Sequence, residues 1–149
     1  MKRRTFIQNS AITGLGASMI GKNQAQPVQK RNAQNEKFQV GVIGTGLRGQ
    51  GHVDLILRRD DCELVAICDI NQKMIDRTKA ICEKHNKPVP VIYQDDPHAY
   101  REMLEKEPLD AVVIATPWRW HVPMAIDAME QGVYVGMEVA GAASIDECW

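Results

Sequence analysis

The chain has 149 residues, 44% of them hydrophobic and 25% charged, with a formal net charge of -1. That composition suits one soluble α/β domain with a sizeable core. It carries no basic excess that could gather on one face, so neither nucleic acid nor an anionic membrane surface is an expected partner. Cys62, Cys68, Cys82 and Cys148 form no C-x-x-C pair and have no His at ligand spacing, so no metal site is expected and the thiols read as buried or half-buried side chains.

In chain order, Met1 to Arg4 is basic, Ala11 to Ile20 is a short apolar run rich in small residues, and Gly21 to Ala33 turns polar. This is the anatomy of a signal peptide. The apolar run is too short to span a bilayer, and no Cys follows it, so no stable membrane anchor is expected. Arg3-Arg4-Thr5-Phe6-Ile7 resembles the twin-arginine export signal; the alternative is the plain basic start of a general secretory signal. Because the twin-arginine route moves folded proteins, it suits a protein that must take up a cytoplasmic cofactor before export. The expected partner is then the twin-arginine translocation machinery and the expected location is the periplasm. Residues 1–36 are read as signal and linker, with Ala25 a candidate cleavage position, and 37–149 as a single domain.

From Phe38 onward short β-branched runs alternate with longer amphipathic stretches, the pattern of βαβ units and a parallel sheet. Strands are predicted at Phe38 to Ile43, Glu63 to Cys68, Val89 to Tyr93, Asp110 to Ala115 and Val133 to Met137. Helices are predicted at Gly49 to Arg59, Asn71 to Lys84, Pro97 to Glu107 and Trp120 to Gln131, the last burying Val122, Ala125, Ile126 and Met129 on one face. Val112-Val113-Ile114 reads as a strand covered on both sides. Right-handed crossovers make this a doubly wound, Rossmann-type α/β fold, with ligands beyond the carboxyl ends of the strands.

Gly44-Thr45-Gly46-Leu47-Arg48-Gly49 stands directly after the first strand and opens a helix. In such a G-x-G-x-x-G the first glycine makes a tight turn, the second admits a pyrophosphate and the third lets helix and strand pack closely. The phosphates then meet free N–H groups at the positive end of the helix dipole. Asp69 ends the second strand twenty residues after Gly49, where a carboxylate accepts hydrogen bonds from a ribose and repels a 2′-phosphate. NAD is therefore the expected cofactor in preference to NADP. Arg48, inside the loop, reads either as a cofactor contact or as a solvated side chain.

Two further clusters fall on the same edge of the sheet. Thr116-Pro117-Trp118-Arg119-Trp120-His121 follows the fourth strand, and large aromatics are costly to leave in a loop that only connects. Trp118, Arg119, Trp120 and His121 are expected to line the nicotinamide or adenine side; the alternative is a pair of core or interface tryptophans with a His making a capping contact. Glu138, in Met137-Glu138-Val139-Ala140 after the fifth strand, can accept from a ribose or the nicotinamide, or can simply face solvent. Ser144-Ile145-Asp146-Glu147 then looks like a capping box that opens a new helix.

Taken together, the Gly44 to Gly49 loop, Cys68-Asp69-Ile70, Ala115-Thr116-Pro117 and Glu138 resemble the glucose-fructose oxidoreductase, inositol dehydrogenase and rhizopine catabolism superfamily, from about Phe38 to the end. Within it, the run Thr116 to Ala125 and Asp146-Glu147-Cys148-Trp149 resemble glycoside hydrolase family 109, whose described activity is α-N-acetylgalactosaminidase. One departure concerns the triplet after the fifth strand. Ordinary dehydrogenases of the superfamily carry Glu-Lys-Pro there, whereas this chain has Glu138-Val139-Ala140, and the glycosidase branch itself more often has Pro at the third position.

The resemblance implies NAD contacts at Leu47, Arg48, Asp69, Trp118 to His121, Glu138 and Val139. It also implies a second α/β substrate domain, absent from this chain, that carries most of the sugar-binding and catalytic groups. The implied chemistry is NAD-dependent, an exception to paired-carboxylate hydrolysis: transient oxidation at the sugar C3, elimination of the aglycone, addition of water, and return of the hydride. The implied substrate is a small-molecule glycoside, and a full-length protein of this kind is compatible with a homo-oligomer. A sugar or polyol dehydrogenase that releases NADH, and an NAD-binding fragment without turnover, are the competing readings.

Overall fold

The computed structural model describes residues 37–148; the export signal read from residues 1–36 lies outside the described residues. Five parallel strands form one sheet in the order β3-β2-β1-β4-β5. They are β1 Phe38–Ile43, β2 Cys62–Cys68, β3 Val91–Tyr93, β4 Ala111–Ile114 and β5 Tyr134–Met137. The helices between them are α1 Leu47–Leu57, α2 Gln72–Lys84, α3 Ala99–Lys106 and α4 His121–Glu130. The chain runs outward from β1 to β3, then crosses over to β4 on the other side of β1. That reversal puts the switch point, where such sheets bind ligands, between β1 and β4.

The core divides into two layers, one on each face of the sheet. Val53, Ile56 and Leu57 of α1 and Ile75 and Cys82 of α2 pack on Val40, Val42, Leu64 and Ile67. Tyr100, Met103 and Leu104 of α3 and Met124, Ala125 and Ala128 of α4 pack on Ile43, Ala66, Val112 and Ile114. Alternate residues of one strand thus serve opposite layers, as a sheet covered on both faces requires. Of the four apolar positions predicted for the inner face of α4, Ala125 is buried and Val122 half-buried, while Ile126 and Met129 are exposed. Met124 and Ala128 take the inner positions instead, because the helix axis is set by its packing against β4 and α3.

Several boundaries differ from the sequence reading for local reasons. β3 starts at Val91 and not Val89, since Pro88 and Pro90 lack the N–H that pairing uses. α3 starts at Ala99, after a turn in which Asp96 accepts from the backbone N–H groups of His98 and Ala99. Trp118–Trp120 is a separate 3-10 turn that leads into α4. The Ser144 region forms a 3-10 turn over Asp146–Cys148, with the Glu147 N–H donating to Ser144 Oγ at 3.3 Å and Glu147 accepting from the Ala143 N–H at 2.5 Å.

The sheet ladder continues one residue past the strands and so places the functional edge. The N–H of Asp69 donates to the Tyr93 carbonyl, that of Ala115 to Ile43 and that of Glu138 to Ile114, at 3.1, 2.9 and 3.0 Å. Strand register thus sets where each of these residues leaves the sheet. Among the described residues no helix is long and apolar enough to cross a membrane.

Candidate NAD-binding site

The turn after β1 depends on its glycines. Gly44 has φ +86°, and a Cβ there would lie 2.9 Å from the Ala115 carbonyl group, so both the conformation and the space exclude other residues. A Cβ on Gly49 would lie 1.9 Å from the Gly44 oxygen, which is the close helix-to-strand approach anticipated for the third glycine. Gly46 differs, because a Cβ there would meet nothing within 4 Å. It stands at the N-cap of α1 without a side-chain cap, so open space meets the unpaired N–H groups of the first turn. A pyrophosphate fits that combination by charge, donor count and room.

Thr45 is fully buried, and its side chain points at the end of β2. Asp69 Oδ2 accepts from the Thr45 N–H at 2.6 Å and from the Thr45 hydroxyl at 3.0 Å. Asp69 Oδ1 accepts from the Asn71 N–H at 2.8 Å, and Asn71 in turn caps α2 through the Lys73 N–H. The half-buried carboxylate therefore joins the glycine loop to the start of α2 while keeping an edge toward the cleft.

That cleft has a volume of about 300 Å³ and lies over the carboxyl ends of β1, β2 and β4. Its floor is Ile43, Gly44 and Gly46, one wall is Asp69 to Asn71, and the other is Thr116, Pro117, Arg119 and Trp120. Mostly apolar walls that include a carboxylate and the N-terminus of a helix suit an adenosine joined to phosphates. Trp120 is half-buried and held edge-on by His98, with ring centroids 5.3 Å apart.

The rest of the aromatic loop divides by exposure. Trp118 is 63% exposed and lies off the cleft wall. His121 is buried, with Nε2 2.8 Å from the Thr116 carbonyl and Nδ1 3.0 Å from the Ala140 carbonyl. It ties the loop after β4 to the loop after β5 and lines no part of the cleft. Leu47 and Val139 are strongly exposed, at 83% and 79%. Ala140 has φ +69°, which a proline ring cannot adopt, so the departure from Pro at this position is conformational as well as chemical.

A second polar group lies on the β5 side, away from the adenosine-sized cleft. Glu138 Oε1 accepts from Arg48 Nη2 at 3.0 Å, Arg48 Nε at 3.1 Å and His52 Nε2 at 2.8 Å. The hydrogen bond from His52, with that from Arg48, holds the Glu138 carboxyl below its ordinary 4.5 against the opposing effect of burial. Arg48 therefore pairs with a carboxylate across the switch point while most of its side chain stays in solvent. His52 was missed in the sequence reading; the available signal was its i, i+4 spacing from Arg48, which puts both on one face of α1.

Comparison with known proteins follows the same lines. The family described as oxidoreductase, NAD-binding Rossmann fold, matches residues 38–148. A glycosyl hydrolase family 109 protein of Parabacteroides distasonis is 40% identical, over 99% of this chain and 34% of the relative. An alpha-N-acetylgalactosaminidase of Tannerella forsythia is 38% identical, over 99% and 34%. The chain thus spans about a third of the length of these relatives. Among solved structures, the WlbA dehydrogenase from Bordetella pertussis in complex with NADH and UDP-GlcNAcA superposes with a TM-score of 0.62 at 26% identity, covering 75% of this chain and 32% of that one. The glycine turn, the carboxylate ending β2 and the match over residues 38–148 agree: the chain belongs to the oxidoreductase family with an NAD-binding Rossmann fold.

Proposed function

We propose that this chain is the NAD-binding domain of an exported glycoside hydrolase that acts on terminal α-N-acetylgalactosamine. The observation that carries the reading is the 38% identity to an alpha-N-acetylgalactosaminidase over 99% of the chain. Val139 supports it, standing where the resemblance to sugar dehydrogenases would put a proton-moving Lys. When bound, NAD+ supplies a reversible hydride acceptor for the sugar C3, so that the neighbouring C2 proton becomes acidic enough for the aglycone to leave and water to add.

The residues of this chain bind and orient. The open side of Gly46 and the α1 N-terminus receive the pyrophosphate, Asp69 accepts from the adenosine ribose, and Pro117 and Trp120 flank the base. Glu138 lies on the far side of the switch point, where it accepts from the second ribose. Val139 cannot move a proton, and His121 has both ring nitrogens against backbone carbonyls, so neither serves as the base. The base and the sugar-binding groups belong to the length of the relatives that this chain does not span. Export through the twin-arginine route, on Arg3 and Arg4, suits a cofactor that is loaded before translocation and retained through turnover.

The test expresses the longest open reading frame containing this segment and assays an aryl α-N-acetylgalactosaminide with and without NAD+, following absorbance at 340 nm. NAD-dependent aglycone release without accumulating NADH supports the glycosidase. Stoichiometric NADH from free sugars would replace it with a dehydrogenase, the reading favoured by the likeness to WlbA.

A further inference from the structure

Glu138 is recruited from the far end of the chain by two residues of α1, and the two differ in kind. The Arg48 side chain is 76% exposed and belongs to the glycine loop and the first turn of α1, to which the pyrophosphate is assigned above. The His52 side chain is 31% exposed and sits one helical turn deeper, 86 residues from Glu138 in sequence and 2.8 Å from it in space. All of these contacts use Oε1, none uses Oε2, and the Glu138 side chain is only 15% exposed. The side-chain contacts thus fall on one oxygen of the carboxylate, and the backbone N–H of Val139 adds to the hold on the group.

From this arrangement we infer that His52 is a positioning residue for the nicotinamide half of the cofactor. Its Nε2–H fixes Glu138 Oε1 so that Oε2 faces the second ribose, and it continues to do so when Arg48 turns from the carboxylate to the pyrophosphate. Because the backbone N–H of Glu138 is fixed by the Ile114 carbonyl, only the side chain needs orienting, and a single N–H donor suffices. Arg48 could not serve alone, since its guanidinium is shared between two anions. The inference rests on the reading that the cleft and its β5 side bind NAD.

The test measures dissociation constants of the full chain for NAD+ and for AMP, which reaches only the Asp69 side. His52→Ala should weaken NAD+ by about three- to tenfold, the range of one ordinary hydrogen bond, and leave AMP within about twofold. His52→Gln, whose amide can donate to the same oxygen, should recover most of the loss. His52→Asn is too short to reach Oε1 and should match alanine, which keeps the comparison available if the alanine variant does not fold. With Glu138→Gln already present, His52→Ala should add little further loss, because the partner it orients is changed. If wild-type chain binds neither ligand, the NAD reading itself fails. If wild type binds both while His52→Ala and His52→Asn shift NAD+ and AMP equally or not at all, His52 is structural and the inference is overturned.

Discussion

Asp69 Oδ2 lies 2.6 Å from the backbone nitrogen of Thr45 and 3.0 Å from its hydroxyl, so the carboxylate that ends β2 also holds the glycine loop that follows β1. Its removal leaves donors of a fully buried residue without a partner. Asp69→Ala should therefore lower stability by about 1–3 kcal/mol and weaken NAD+ by about tenfold. Thr45→Val keeps the volume and the N–H bond and should cost no more than about 1 kcal/mol. Urea unfolding and calorimetric titration check both; equal stability of wild type and Asp69→Ala would contradict the tie between loop and strand.

The glycines separate stability from binding. Gly49→Ala puts a Cβ 1.9 Å from a backbone oxygen, so helix and strand must part, at a cost of about 3 kcal/mol or more. Gly46→Ala meets nothing within 4 Å and should change stability by less than about 1 kcal/mol, yet its methyl fills the space assigned to the pyrophosphate. Thermal melts with and without NAD+ distinguish them. Gly46→Ala with unchanged NAD+ affinity would remove the pyrophosphate from that position.

Much of this site was legible in the sequence because it depends on local pattern. Gly44, Gly46 and Gly49 keep a fixed spacing after an apolar run, and Asp69 comes one crossover later, so chain order alone places them on one edge. What was not legible depends on contacts between distant segments. Which way Trp118 and His121 turn is decided by the 3-10 turn and by the Ala140 carbonyl, and no periodicity within the loop reports either. His52 carries meaning only once β5 lies beside β4 and brings Glu138 across the switch point. Ile126 and Met129 followed the apolar pattern of α4 yet lie outside, because packing selected Met124 and Ala128.

Acid should unfold the domain in a definite window. A hydrogen bond with His85 holds the Asp54 carboxyl below its ordinary 3.8. At Asp127 burial acts upward, but the bonds from Tyr100 and Arg101 outweigh it and the carboxyl also stays below 3.8. Glu138 is held below 4.5. Each is a lowered folded-state value, so the unfolded chain binds more protons and the stabilisation is complete above about pH 5 and lost as pH falls through the lowered values. Circular-dichroism melts should show a nearly constant midpoint from pH 7 to about pH 5 and a fall below about pH 4. A midpoint that stays level down to pH 3 would show that these pairs contribute nothing.

Thiol reactivity should divide the cysteines. Burial pushes the Cys68 thiol up to about 12, with Asp69 and Asp96 adding to the shift, and burial also raises Cys82. Cys148 is exposed. A thiolate-directed reagent at pH 8 should label Cys148 promptly and leave Cys68 and Cys82 unmodified until the chain is unfolded. Rapid labelling of Cys68 by mass spectrometry would mean that the β2 end is open to solvent.

This edge of the sheet is expected to take a dinucleotide with its adenosine ribose on Asp69. The most direct measurement is a calorimetric titration of the chain with NAD+ and with NADP+ under identical salt. One NAD+ site is expected, with NADP+ weaker by about tenfold or more, since a 2′-phosphate would meet the Asp69 carboxylate. Equal affinity for the two, or loss of neither on Asp69→Ala, would contradict it.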